Sequence, residues 1–111
     1  MEKLNILWTS DSFDTFKNMI SMYTVNSIKN SWWIEINIII WGASTKLVHE
    51  DVKVQKEIQK MIEKGITFEA CKACADKFKA SDNMKRLGIN VKYMGKALTN
   101  YIKSEDKFIT I

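Results

Sequence analysis

Proline is absent from this 111-residue chain, and glycine occurs only four times. Such a composition excludes Pro-rich linkers, collagen-like repeats and Gly-rich tails. The two cysteines are too few for the disulfide framework that stabilises small secreted domains. The most apolar run, Ile34–Trp41, is interrupted by Glu35 and Asn37 and is far shorter than the roughly 20 residues of a membrane-spanning helix. We therefore expect a soluble, cytoplasmic protein with reduced thiols and no membrane partner.

Arginine is also scarce, since Arg86 is the only one among the 17 basic side chains and the lysines are spread along the chain. The net charge is +4, and the isoelectric point is near 9.1. Nucleic-acid-binding proteins usually cluster their basic residues, and arginine makes most of the bidentate contacts with bases and phosphates. The sequence therefore does not predict a nucleic-acid partner.

The apolar content is sufficient for one hydrophobic core. Hydrophobic residues make up 46% of the chain and charged residues 27%, which are ordinary values for a globular protein. A chain of this length usually forms one domain and buries about two-thirds of the surface of its unfolded state. We expect a single domain over residues 1–111, without internal repeats.

Short β-type runs alternate with amphipathic helical segments along the chain. Alternation of this kind predicts an α/β domain with a parallel sheet and helices on both faces, because parallel neighbours need crossover connections. The predicted strands are Leu4–Thr9, Trp33–Trp41, Ile66–Ala70, Ile89–Met94 and Phe108–Ile111. The predicted helices are Phe13–Ile28, Ala43–Lys64 in two pieces, Cys71–Phe78, Ser81–Leu87 and Lys96–Ser104.

Several residues are typical of helix ends. Asp11 or Ser12 is expected to cap the first helix, and Asp51 the second piece of the next one. Gly65 is placed to end that piece in the left-handed conformation, and Ser81 is an N-cap candidate further on.

Ligands of open parallel sheets bind beyond the carboxyl ends of the strands, so the residues that follow the predicted strands are candidates for a site. The turn after Trp41 has the composition of a strand-to-helix turn whose N–H groups could bind an anion, although it lacks the spacing of a phosphate-binding loop. Trp41 either covers such a pocket or fills the core. The pocket candidates are Ser10, Trp41, Gly42, Ser44, Met94 and Gly95.

Cys71 is the candidate nucleophile at this edge because it directly follows the third predicted strand. A thiol at a helix N-terminus is stabilised as the thiolate by unpaired N–H groups and the helix dipole. Lys72 adds positive charge there, whereas Glu69 acts in the opposite direction. The alternative is that Cys71 is a small buried side chain of the core.

Cys74 completes a C-x-x-C motif with Cys71. Residues three apart share a helix face, so the two sulfurs could form a disulfide or bind one metal ion. A zinc site needs four ligands, and His49 is the only further candidate, so a metal site within one chain is not expected. A thioredoxin is excluded because the chain lacks the proline that accompanies the dithiol in that fold. Cys74 is either a resolving thiol or a packing residue.

Three motifs in the second half of the chain resemble the DsrE/DsrF-like (YchN-like) family. They are WGAS-x-KLV at Trp41–Val48, GI-x-F-x-AC-x-x-C at Gly65–Cys74 and LGI-x-V-x-YMG-x-x-LT at Leu87–Thr99. The resemblance implies a three-layer α/β/α fold with a five-stranded parallel sheet. It also implies a homotrimer or homohexamer that has no cofactor.

Better-understood relatives in that family are sulfur-relay proteins, which carry sulfur as a persulfide on a cysteine after the third strand. Cys71 occupies this position, and other sulfur-relay proteins are the implied partners. Cys74 departs from the pattern of those relatives, which usually have a small apolar residue there.

Two functional hypotheses follow from the sequence. The first is a sulfur carrier or sulfurtransferase-like protein that accepts sulfane sulfur on Cys71, with Cys74 able to resolve the persulfide. The second is a non-enzymatic, oligomeric module that binds a small ligand or anion and has a redox-sensing cysteine pair. The sequence leaves open whether the protein is an enzyme.

Overall fold

The sheet of this protein contains five strands in the part of the chain that the structure, a computed structural model, describes: residues 2–111. Met1, which belongs to the predicted domain of residues 1–111, lies outside the described residues. The strands are β1 (Lys3–Trp8), β2 (Glu35–Ile40), β3 (Thr67–Cys71), β4 (Asn90–Lys92) and β5 (Lys107–Thr110).

Helical segments connect each strand to the next. The first connection is α1 (Phe13–Thr15), a π-helical segment (Phe16–Ser21) and α2 (Met22–Lys29), which follow one another without a break. The others are α3 (Ala43–Glu50), α4 (Val52–Glu63), α5 (Lys72–Lys77), α6 (Ser81–Arg86) and α7 (Gly95–Lys103). No helix within residues 2–111 is both long enough and apolar enough to cross a membrane.

The strand order is β4-β3-β2-β1-β5, and every neighbouring pair is parallel. The chain therefore moves in one direction from β1 to β4 and returns across the sheet to β5. Because parallel crossovers are right-handed, the connections of the first three steps lie on one face and α7 lies on the other. The predicted parallel α/β fold with helices on both faces is confirmed, but the two helical layers are very unequal.

The face beneath α1–α6 contains the main hydrophobic core. Side chains alternate along each strand, so every second residue of β1 points into this core while its neighbours point toward α7. The strands contribute Ile6, Ile38 and Phe68 to it, and the helices contribute Phe16 and Ile58, all of them 2% exposed or less. Burying one such side chain stabilises the fold by about 1.5–3 kcal/mol.

The opposite face is covered by one amphipathic helix. α7 has no fully buried residue, and its half-buried Leu98 and Tyr101 pack against a small cluster around Ile39, Cys71 and Met94. This side of the sheet is therefore the thinner and more accessible one.

Three sequence expectations about element boundaries need correction. Strand β4 is Asn90–Lys92 and not Ile89–Met94, because Met94 is already the N-cap of α7. Strand β2 begins at Glu35 and not at Trp33, because the Trp33 indole N–H donates to the Tyr23 hydroxyl at 2.9 Å and turns the side chain toward α2. Ser81 is not an N-cap, since it is the first residue of α6 and its hydroxyl donates to Asp76 Oδ1 at 2.5 Å.

The other helix-end predictions agree with the structure. The Thr15 N–H donates to Ser12 Oγ at 3.1 Å, which identifies Ser12 and not Asp11 as the cap of the first helix. Gly65 has φ +99° directly after the end of α4, a conformation that favours glycine. Asp51 caps α4 by accepting from the N–H groups of Lys53 and Val54 at 2.8 and 3.2 Å.

Replacing the cap of α4 should lower the stability of the protein. We expect Asp51→Ala to reduce the free energy of unfolding by about 1 kcal/mol, because two N–H groups lose their acceptor. Urea denaturation measures the change. Glu63→Ala at the other end of the same helix is the control and should change stability by less than about 0.5 kcal/mol. Equal losses in the two variants would contradict the capping role.

Candidate functional site

Three neighbouring strands, β2, β3 and β4, end at the edge of the sheet where the candidate residues lie. The structure brings Cys71, Cys74, Trp41 and Met94 into one apolar cluster there. Gly42 lies near this group through its backbone, which lowers the pKa of the Cys74 thiol.

The two serine candidates have structural hydrogen bonds instead. The buried Ser44 hydroxyl donates to the Trp8 carbonyl at 2.6 Å and accepts from the Trp41 N–H at 3.1 Å. Ser10 Oγ accepts from the Ser12 N–H at 3.1 Å, in the turn after β1. Gly95 is the first residue of α7, next to Met94. Among the pocket candidates, Trp41, Gly42 and Met94 are thus the ones in the neighbourhood of the thiols.

Cys71 is the last residue of β3 and also the N-cap of α5. The Cys71 side chain is only 6% exposed and packs with Ile39 and Met94. It makes no side-chain capping bond, so its sulfur is not committed to holding the helix. The predicted position of Cys71 at the junction of strand and helix is observed, together with burial that the sequence left open.

Cys74 lies one turn into α5 and is partly exposed. Burial raises the pKa of the Cys74 thiol, whereas the N–H of Gly42 opposes this effect. A hydrogen bond with Cys71 raises the pKa of Cys74 further, and the charge of Lys77 lowers it. The C-x-x-C spacing therefore places two free thiols in one cluster, where the pKa of the Cys74 thiol is raised.

Gly42 provides the turn between β2 and α3. Its backbone has φ +70° and ψ −131°, a combination open almost exclusively to glycine. A Cβ at this position would meet no atom within 4 Å, so the constraint is conformational and not steric crowding. The turn places the Gly42 backbone near Cys74.

A buried polar network lies beside the thiols, on the α7 face of the sheet. Glu69 of β3 is 7% exposed, and its Oε1 accepts from Asn37 Nδ2 at 2.8 Å and from the Tyr101 hydroxyl at 2.6 Å. Its Oε2 lies 2.6 Å from Lys92 Nζ. Asn37 also donates to Asn5 Oδ1 at 3.3 Å. Strands β1 to β4 and α7 all contribute to the network.

The network keeps Glu69 ionised despite its burial. Burial by itself raises the pKa of Glu69, but the hydrogen bonds from Lys92, Tyr101 and Asn37 together hold that pKa below its usual value. For Tyr101, burial and the adjacent carboxylate raise the pKa, so its hydroxyl stays protonated as a donor.

This network was missed in the sequence, although a signal for it was present. Polar residues interrupt the first three strands at positions whose side chains face α7. These residues are Asn5, Asn37 and Glu69. Polar residues at buried strand positions require partners, and those partners come from elements distant in sequence.

A cavity of about 440 Å³ adjoins the network at the end of the sheet opposite to the thiols. Its wall includes Lys3, Asn37, Glu69, Asn90 and Tyr101, together with apolar residues at the start of β3. The cysteines do not line it, and within residues 2–111 there is no group of three or more His, Cys, Asp or Glu arranged to hold a metal ion. His49 lies in the last turn of α3, with its buried Nδ1 lacking a hydrogen-bond partner.

Comparison with known proteins identifies the class to which this fold and site belong. The chain belongs to the DsrE/DsrF-like family, whose model matches residues 6–111. The resemblance found in the sequence motifs is thereby confirmed. No curated protein matches the chain significantly.

Solved structures agree with this assignment. A conserved protein of unknown function from Bacteroides thetaiotaomicron, BT1422, is 50% identical, with a TM-score of 0.97 over 99% of this chain and 95% of that one. The ychN protein from E. coli has a TM-score of 0.73 at 12% identity, with full coverage of both chains (100%). A protein of unknown function from Methanobacterium thermoautotrophicum, MTH1491, has a TM-score of 0.83 at 10% identity and the same 100% coverage of both chains. The last two, being so distant in sequence, show a shared fold.

The Gly42 turn allows a matched test of the site geometry. We expect Gly42→Ala to lower the free energy of unfolding by about 1–3 kcal/mol, since alanine is strained at this φ and ψ. Gly95→Ala is the control, because Gly95 has no positive φ and a Cβ there also meets open space. Alanine in the first turn of α7 should be neutral or stabilising by less than about 1 kcal/mol. Urea denaturation of both variants measures the difference, and equal effects would contradict the assigned Gly42 conformation.

Proposed function

We propose that this protein is a sulfur carrier in which Cys71 accepts a sulfane sulfur as a persulfide. The observation that carries the proposal is the packing of two free thiols, Cys71 and Cys74, in one cluster where β3 ends and α5 begins. Membership in a family related to sulfur-relay proteins supports it.

In the loading step, the Cys71 thiolate attacks the outer sulfur of a donor persulfide, R–S–SH. The S–S bond of the donor breaks, the electron pair leaves with R–S⁻, and Cys71 becomes Cys–S–SH. Cys71 is assigned as the attacking thiol because it lies where β3 ends and α5 begins.

In the release step, Cys74 acts as the resolving thiol. Its deprotonated sulfur attacks the inner sulfur of the Cys71 persulfide, HS⁻ leaves, and a Cys71–Cys74 disulfide forms. A dithiol reductant then restores both thiols. Because burial raises the pKa of Cys74, this thiol stays protonated near neutral pH, so the persulfide persists until a partner or a local change activates Cys74.

The burial of Cys71 fits the demands of a carrier. A persulfide exposed to solvent exchanges with any passing thiol, whereas a side chain that is 6% exposed is protected. Met94 and α7 pack over the cluster that contains Cys71, and α7 itself has no fully buried residue that would hold it in place. Docking of a donor protein at this edge is therefore the proposed way of opening the site to a protein-bound sulfur, whereas small reagents reach Cys71 during brief local openings of this cover.

We further propose that the protein is a homo-oligomer located in the cytoplasm. A homotrimer or homohexamer would cover exposed apolar side chains such as Trp32, Ile34 and Ile102, which are 54%, 67% and 59% exposed in the isolated chain. Other sulfur-relay proteins are the proposed partners, and the cytoplasm is the proposed compartment because it keeps both thiols reduced.

A second candidate function, a module that binds a small ligand, is favoured by one observation. The 440 Å³ cavity beside Glu69 has a volume typical of small-molecule sites and does not involve the cysteines. In that case the cysteine pair would serve as a redox sensor only.

Treatment of the reduced protein with a low-molecular-weight persulfide tests the carrier proposal. We expect an intact-mass increase of about 32 Da, one sulfur atom, that maps to Cys71. Cys71→Ser should abolish the adduct, whereas Cys74→Ser should retain it and slow its release as sulfide. Native mass spectrometry of the same sample should show multiples of the 12.9 kDa chain.

The serine pair is a matched control because both substitutions remove one sulfur from the same helix turn. An adduct that survives Cys71→Ser would move the carrier role to Cys74. The absence of any adduct in the wild-type protein would favour the ligand-binding module, and a purely monomeric species would contradict the proposed assembly.

A further inference from the structure

Two charged side chains lie next to the Cys71 thiol on the same face of the sheet. Glu69 precedes it by two residues on β3 and faces the same side. Lys92 of β4 is its partner in the strand register and therefore also faces that side. The ammonium group of Lys92 lies 2.6 Å from Glu69 Oε2, so the two charges form one pair next to Cys71.

The two side chains of this ion pair differ in how freely they can move. The carboxylate of Glu69 is buried and fixed by Asn37 and Tyr101 in addition to Lys92. The side chain of Lys92 is 42% exposed and makes its one ion pair in the described residues with Glu69. A flexible four-carbon chain that starts beside Cys71 can carry its ammonium toward either Glu69 or the Cys71 sulfur.

The other titratable groups around Cys71 lie on α5 and α7 and not on the sheet beside it. β2 presents the apolar Ile39, and α7 presents Tyr101, whose hydroxyl is directed at Glu69. On α5, Lys72 is held by Asp76 at 2.5 Å. The titratable and charged groups near the thiol are thus Glu69, Cys74, Lys72, Lys77, Lys92 and, at the exposed start of α7, Lys96.

We propose that Lys92 is a positioning residue that promotes ionisation of Cys71, and that Glu69 limits this effect by drawing the ammonium group away. The inference rests on the proposed function, because it assigns the regulation of the thiol that would carry sulfur. When Cys71 is neutral, Lys92 pairs with Glu69. When Cys71 becomes a thiolate or persulfide anion, Lys92 is shared between the two anions.

The proposal predicts opposite effects for the two members of the pair. Lys92→Met removes the cation and leaves the Glu69 carboxylate unopposed near Cys71, which disfavours the thiolate. Glu69→Gln removes the anion and frees Lys92 to approach the sulfur, which favours the thiolate. If the pair merely joined β4 to β3, breaking it from either side would loosen the sheet and expose Cys71 in both variants.

The test is the pH profile of iodoacetamide alkylation in a Cys74→Ser background, where Cys71 is the one thiol that reacts. We expect Lys92→Met to move the midpoint of the profile up by about one pH unit and to slow alkylation near neutral pH about tenfold. Lys92→Arg should restore the midpoint. Glu69→Gln should move it down and accelerate alkylation.

Lys56→Met is the control for a change in net charge, because Lys56 is exposed on α4 at the other face of the sheet. It should leave the midpoint in place. Faster alkylation with an unchanged midpoint in both Lys92→Met and Glu69→Gln would overturn the proposal. If Glu69→Gln does not fold, as judged by circular dichroism, the comparison of Lys92→Met with Lys92→Arg decides: a shift that arginine reverses supports the proposal, and equal profiles overturn it.

Alkylation uses no sulfur donor, so the result is independent of the carrier function. A shifted midpoint without persulfide loading would contradict the carrier proposal and support the role of Lys92. Normal persulfide loading with unshifted alkylation midpoints would support the carrier proposal and contradict the role of Lys92.

Discussion

The handedness of the strand crossovers determines which face of the sheet holds the polar network and the two thiols. Three successive right-handed steps place α1–α6 on one face of the sheet, and the single return step leaves only α7 for the other. The thick layer encloses a continuous apolar core, which provides most of the stability. The thin layer tolerates polar and reactive groups because little apolar surface competes for the space there.

Glu69 illustrates the consequence of that asymmetry. A carboxylate buried in an apolar core would become neutral, yet here three donors from β2, β4 and α7 keep it charged. The same hydrogen bonds attach the lightly packed α7 to the sheet through Tyr101. Charge at this face, the position of α7 and the cover over Cys71 are therefore physically connected.

The parts of the fold that depend on local patterning could be predicted from the sequence. Asp51 caps its helix and Gly65 ends it because both effects involve only neighbouring residues. The contact between Cys71 and Cys74 follows from their spacing on one helix turn. Prediction failed where the local structure depends on residues that are distant in sequence. The Trp33 indole donates a hydrogen bond to Tyr23, and β2 begins only after Trp33. The partners of Glu69 lie on separate elements and were not predicted. The burial of Cys71 likewise depends on Met94, which is distant in sequence and packs in the same cluster.

In the proposed carrier, Cys71 is the more reactive thiol although it is the more buried one, because it lies at the junction of β3 and α5. The most direct test compares the alkylation rates of Cys74→Ser, which retains Cys71, and Cys71→Ser, which retains Cys74, near neutral pH. We expect faster alkylation of Cys71, since burial raises the pKa of Cys74. Faster alkylation of Cys74 across the pH range would contradict it.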